Sequence, residues 1–97
     1  MNREDHLRVV ISASVRITIG TMLRSKEYSE RFLTSKEKNS IEDEVDRVTD
    51  AVVDRLIASL RNQGFIEGGK ELSETEFQSL FRVSVQAYLD ETHAKEP

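Results

Sequence analysis

Three stretches of the chain carry a regular hydrophobic pattern, and the first is ambiguous. From Leu7 to Leu23, LRVVISASVRITIGTML, the odd positions Val9, Ile11, Ala13, Val15, Ile17 and Ile19 are apolar. Between them stand Arg8, Val10, Ser12, Ser14, Arg16, Thr18 and Gly20, with only Val10 apolar. Alternation of period two is the mark of a half-buried strand. Read as a helix, the same residues spread apolar side chains around most of the circumference and call for cover on several sides.

Three considerations favour the helix. Seventeen residues without a turn signal exceed the usual strand length of about 5–6 residues. The other strand candidate, Gly64–Leu72, is short and split by Gly68-Gly69, and a lone strand leaves a row of unpaired backbone groups. The two later patterned stretches are helical, and Ser12, Ala13 and Ser14 let neighbours approach closely. The alternative is a strand over residues 8–19 pairing with its own copy across a dimer.

The second pattern is unambiguous. Ile41, Val45, Val48, Val52, Leu56 and Leu60 recur at spacings of four and three, widened by Val53 and Ile57, which is the stripe of an amphipathic helix. Thr34 to Glu37 fits a capping box, and Ser40 to Asp43 fits one more weakly. Gly64 is placed to cap the far end, with Arg61 in the last turn. Phe65-Ile66 form an apolar foot to the loop that follows. In the third pattern, Ser73-Glu74-Thr75-Glu76 is a full capping box. It opens a helix striped by Phe77, Leu80, Phe81, Ser84, Val85 and Tyr88, with Leu89 beside it. Between the first two patterns, Tyr28, Phe32 and Leu33 stand at helical spacing in a polar segment.

The expected fold is therefore all-α. It is a single domain over 1–97 containing a small bundle of three main helices, at about 5–24, 35–62 and 74–92. A short helical turn lies near 26–33, with a frayed start at 1–5 and a tail at 93–97. At 97 residues the core is modest, since a chain of this size buries only about 60–65% of its unfolded surface.

Composition adds a charge layout. The chain is 37% apolar and 33% charged, with a formal net charge of −4. That balance speaks against bulk nucleic-acid binding. Residues 16–38 carry a net +3 and residues 42–54 a net −5. These adjoining blocks face each other across two packed elements, or simply keep the protein soluble, or offer a surface to a partner of complementary charge. There is no cysteine, so disulfides and thiolate metal sites are excluded. The charged start MNREDH and the arginines Arg8 and Arg16 argue against a signal peptide and against a membrane span. A soluble, cytoplasmic protein is the expectation.

Candidate chemistry is sparse. Asp46, Asp50 and Asp54 stack along one helix face with Asp43 a turn before, and Glu42 beside it; like charges at that spacing are mutually destabilising. They read either as a solvated face or as a row that calls for compensation by a basic element of the same fold, a partner with a basic surface, or a divalent cation. Arg16 and Arg24, eight apart, share roughly one helix face and are candidate anion contacts. His6 and His93 fall in the start and the tail, and no His or Cys group has transition-metal spacing.

One acidic arrangement carries a resemblance. Glu27-Tyr28-Ser29-Glu30 is followed after twelve residues by Asp43-Glu44-Val45-Asp46. This resembles the small all-helical MazG-type nucleotide pyrophosphohydrolases, whose Glu-x-x-Glu and Glu-x-x-Asp pairs together chelate Mg²⁺. The second pair here begins with Asp instead of Glu, and the resemblance covers about a fifth of the chain. It implies convergence of Glu27, Glu30, Asp43 and Asp46.

The function expected from the sequence is that of a small acidic protein–protein interaction module, an adaptor, regulator or inhibitor. It is expected to work as a homo-oligomer without a cofactor and not as an enzyme. The apolar residues Val9, Ile11, Val15, Ile17 and Ile19 are the candidate subunit interface. Glu42, Asp43, Asp46, Asp50 and Asp54 are the candidate partner surface. The alternatives are the MazG-like Mg²⁺-dependent hydrolase and a small-anion-binding oligomer centred on Arg16 and Arg24.

Overall fold

Successive side chains on an α-helix are 100° apart. Residues two apart therefore fall on nearly opposite faces, while residues four apart lie almost in line. An alternating apolar sequence wound into a helix must then split into two apolar rows, back to back. The structure, a computed structural model, describes residues 3–67 and 71–95, with the side chains of 4–67 and 71–92. In it, the ambiguous run is such a helix.

Helix α1 spans Arg3–Arg24. Ile11, Val15, Ile19 and Leu23 are buried, and Leu7, in line with them, packs against the same core. On the opposite side, Val9 and Ile17 face solvent. Residues 8–19 lie inside α1, so the alternative of a strand pairing across a dimer is corrected, and no strand occurs among the described residues. The helix also takes in residues 3–5, expected to fray. Glu4 and Asp5 suit its first turn, and Glu4 is ion-paired with Arg61.

Helix α2, Lys26–Phe32, follows Ser25 directly and buries Phe32. The reciprocal capping box between Thr34 and Glu37 forms: the Thr34 N–H donates to Glu37 Oε1 at 2.9 Å, and the Glu37 N–H donates to Thr34 Oγ1 at 3.3 Å. It opens a single 3₁₀ turn, Glu37–Ser40, and only then does α3, Ile41–Asn62, begin. The helix expected over 35–62 is thus two elements, and Ser40 makes no side-chain cap.

The far end of α3 closes as its glycine implies. Gly64 has φ +81°. Its N–H donates to the Arg61 carbonyl at 3.2 Å, and the Phe65 N–H donates to the Leu60 carbonyl at 3.0 Å. These two bonds are a Schellman motif. It turns Phe65 and Ile66 into the core, where both are buried. Gly68-Gly69, read as the loop's split, lie outside the described residues. At Ser73 half of the second capping box forms: the Glu76 N–H donates to Ser73 Oγ at 3.1 Å, and Glu76 Oε1 accepts from the Ser73 hydroxyl at 3.0 Å. Helix α4 runs Glu74–Lys95, three residues beyond the expected end.

Helix α3 is the centre of the bundle. It packs against both α1 and α4, which approach each other more loosely. Its residues sort into four rows. Val45, Thr49, Val53 and Ile57 form one buried row and Val48, Val52, Leu56 and Leu60 another. Glu42, Asp46, Asp50 and Asp54 flank the first, and Arg47, Ala51 and Arg55 flank the second. Leu80, Ser84, Tyr88 and Leu89 of α4 complete the core, with the Tyr88 ring stacked 6.2 Å from that of Phe32.

One core position is mismatched. Thr49 is fully buried and its hydroxyl has no hydrogen-bond partner. An unsatisfied buried hydroxyl costs about 1–3 kcal/mol. Thr49→Val keeps the branched shape and removes the orphaned group, so it is expected to stabilise the protein by about 1 kcal/mol. The check is a higher urea midpoint at unchanged slope.

Candidate interaction surface

The two charge blocks meet inside the protomer. α1 and α3 run antiparallel, and one row of α1 (Arg8, Ser12, Arg16, Gly20, Arg24) lies along the acidic row of α3. Arg8 pairs with Asp54 at 2.7 Å, Arg16 with Asp46, and Arg24 with Glu42 at 2.6 Å. Arg61 pairs back to Glu4. Each pair has at least one half-exposed side chain, and such pairs contribute only about 0–1 kcal/mol each. Their regular spacing fixes the register of one helix on the other more than it stabilises the fold.

This ladder places the residues singled out by charge. Of the acidic candidates, Glu42, Asp46 and Asp54 are paired within the chain. Asp43 and Asp50 are exposed. The anion candidates Arg16 and Arg24 line an open groove of about 570 Å³ together with Glu42, Asp43 and Asp46. An incoming anion would meet three carboxylates beside two arginines already engaged.

Among the described residues, no three or more His, Asp or Glu side chains are grouped to hold a metal ion. Glu27, Glu30, Asp43 and Asp46 thus do not converge in the way the MazG resemblance implies.

A second charged centre ties α3 to its neighbours. Arg47 donates from Nε to Glu44 Oε2 at 2.5 Å, from Nη2 to Glu37 Oε2 at 3.0 Å, and from Nη1 to the Tyr88 hydroxyl at 3.1 Å. Partial burial works against its charge. The hydrogen bond to Glu44 and the attraction of Tyr88, Glu44 and Glu37 outweigh that and hold the guanidinium above its ordinary range. Arg55 lies over the Tyr88 ring and pairs with Glu91.

With Arg8, Arg16 and Arg24 of α1 and the arginines of α3 engaged in this way, the feature left outward on α1 is apolar. The interface candidates divide between the two rows of α1. Ile11, Val15 and Ile19 are buried in the protomer's own core. Val9 is 61% exposed and Ile17 73%, with the exposed Ala13 between them and Val10, 55% exposed, alongside.

The patch continues into a trough between α1 and α4. Ser14, Thr18, Phe77 and Phe81 line one part of it, about 400 Å³. Met22, Tyr28, Phe81, Val85 and Leu89 line the next, about 330 Å³. Phe77, Phe81 and Val85 are only partly buried there. Sequence periodicity does not single out Val10 or the trough. The trough forms because α1 and α4 both lean on α3 without closing on each other. The inward row was findable by counting fours, because Leu7, Ile11, Val15, Ile19 and Leu23 form five large aliphatics in line.

By length and composition alone α1 is also long and apolar enough to cross a membrane: an 18-residue window within Glu4–Arg24 has a mean hydropathy of 1.2, and 28% of that window is buried. In this fold Arg8, Arg16 and Arg24 are paired with α3 carboxylates. No protein-family model matches the chain, and comparison with curated proteins and with solved structures finds no match.

Proposed function

We propose that the protein is a small helical interaction module that associates with itself through the outward face of α1. The observation that carries this reading is the row Val9, Ala13 and Ile17 with Val10, an apolar strip on a helix whose opposite face already fills the core. Contiguous exposed apolar surface of this kind marks interaction sites.

The dimensions support the reading. The chain exposes 6367 Å², whereas a compact monomer of 11.1 kDa exposes about 5,700 Å². Its radius of gyration is 14.1 Å, against about 12.5 Å for a compact 97-residue domain. The acidic row of α3 serves first as the lock between α1 and α3, and Asp50 of that row together with Asp43 is what remains for a basic partner.

The test is sedimentation equilibrium over a range of concentrations. The expected result is a mass above that of one chain, with Ile17→Asp raising the dissociation constant more than about tenfold because a carboxylate must then be desolvated. Ile17 is exposed in the protomer, so helicity by circular dichroism should not change. A single-chain mass at every concentration overturns the proposal.

A further inference from the structure

We infer that the occupant of the α1 face is the α1 helix of a second copy, laid antiparallel, with a two-fold axis passing beside Ala13. This rests on the self-association reading above and adds the partner surface and its geometry.

The outward row is Asp5, Val9, Ala13, Ile17 and Thr21, spaced by four throughout. It is nearly symmetric about Ala13, with a branched aliphatic on each side at the same distance. A two-fold contact presents the same patch from both partners, so a self-complementary row is what it needs. Turned end for end, Val9 of one copy meets Ile17 of the other. The small Ala13 on the axis lets the backbones approach, and rows spaced by four interdigitate with the grooves between their counterparts.

Helix dipoles select antiparallel over parallel: a parallel pair aligns the two dipoles, and an antiparallel pair opposes them. The bordering arginines Arg8 and Arg16 carry their own counter-ions on Asp54 and Asp46, so the contact does not bring bare cations together. The same axis places the two α1–α4 troughs on one side of the contact, where each copy shields the half-buried Phe77 and Phe81 of the other. That extends the contact beyond a single pair of helices, towards the area a stable dimer requires.

Cysteine cross-linking of the full chain tests this, because the natural sequence has no cysteine to interfere. A disulfide needs Cα atoms about 5–6 Å apart. Ala13→Cys alone is expected to give a disulfide dimer under mild oxidation. Val9→Cys alone should remain largely uncrosslinked, as should Ile17→Cys alone, while an equimolar mixture of the two cross-links. All three positions are exposed in the protomer, and circular dichroism of the reduced proteins verifies the fold.

If Val9→Cys cross-links to itself as readily as Ala13→Cys, the antiparallel geometry is wrong. If the wild type sediments as a dimer but Ala13→Cys does not cross-link, this face is wrong and self-association stands. A wild type that is monomeric at all concentrations, including one that instead co-sediments with phosphatidylcholine–phosphatidylserine vesicles, overturns both.

Discussion

Ile19→Ala is expected to destabilise the protein by about 3 kcal/mol, within the range of about 2–5 kcal/mol for truncating a buried isoleucine. Ile17→Ala, two positions earlier in the same alternating run, is expected to change protomer stability by less than about 0.5 kcal/mol. Ile19 is fully buried and Ile17 is 73% exposed. For a domain of this size the first substitution lowers the melting midpoint by about 12–24 °C, and the second leaves it nearly in place. In a strand the two residues would share a face and fail together, so the contrast reports the helical winding of α1 directly. The comparison belongs at low protein concentration. Once chains associate, Ile17→Ala also lowers the midpoint by mass action, and the concentration dependence of that loss separates the outward face from the inward one.

Leu56→Ala is expected to cost more, about 3–5 kcal/mol. Leu56 is fully buried in α3, in the row with Val48, Val52 and Leu60. α3 is the element against which both α1 and α4 pack. A cavity there is bordered by three helices whose register is held by the Arg8, Arg16 and Arg24 pairs on one side and by Arg47 and Arg55 on the other. Helices pinned on both flanks collapse poorly into a void, and the penalty grows with the volume left unfilled. Against the roughly 5–15 kcal/mol by which domains are stable, that is a large share. Urea titration should show the midpoint falling at constant slope; a loss below about 1.5 kcal/mol would mean that the helices shift to fill the space.

The two predictions rest on different kinds of information. For α3, spacings of three and four locate every buried residue but Thr49; in α4 they mark the buried Leu80, Ser84, Tyr88 and Leu89 together with Phe77, Phe81 and Val85, which are only partly buried. The helix ends were legible for a local reason. Thr34 with Glu37, Ser73 with Glu76, and Gly64 satisfy backbone groups within a few residues, so their chemistry needs no knowledge of the rest of the fold. The weaker box at Ser40 did not form. The chain entering α3 is already wound into the 3₁₀ turn Glu37–Ser40, which places Ser40 outside cap geometry.

The candidate surface was legible only in part. Val9 and Ile17 are among the residues that periodicity marks, but so are Ile11, Val15 and Ile19, which the protomer keeps for itself. The acidic row was visible as a row, and its partners were visible as a basic block. The pairing of Arg8, Arg16 and Arg24 with Asp54, Asp46 and Glu42 depends on α3, beyond α2 and the 3₁₀ turn, coming back antiparallel to α1.

What the sequence determined by itself is the local layer: four helical segments, their caps, the stripes of α3 and α4, and two charge blocks of opposite sign. These follow from interactions spanning a few residues, so they are written in neighbouring letters. What only the tertiary structure decided is which way α1 faces. Its alternating run offers two apolar rows back to back, and the bundle has room for one. The row with five large aliphatics, Leu7 to Leu23, buries more surface than the row centred on Ala13, and the α3 ladder sets its register. The other row is left facing outward.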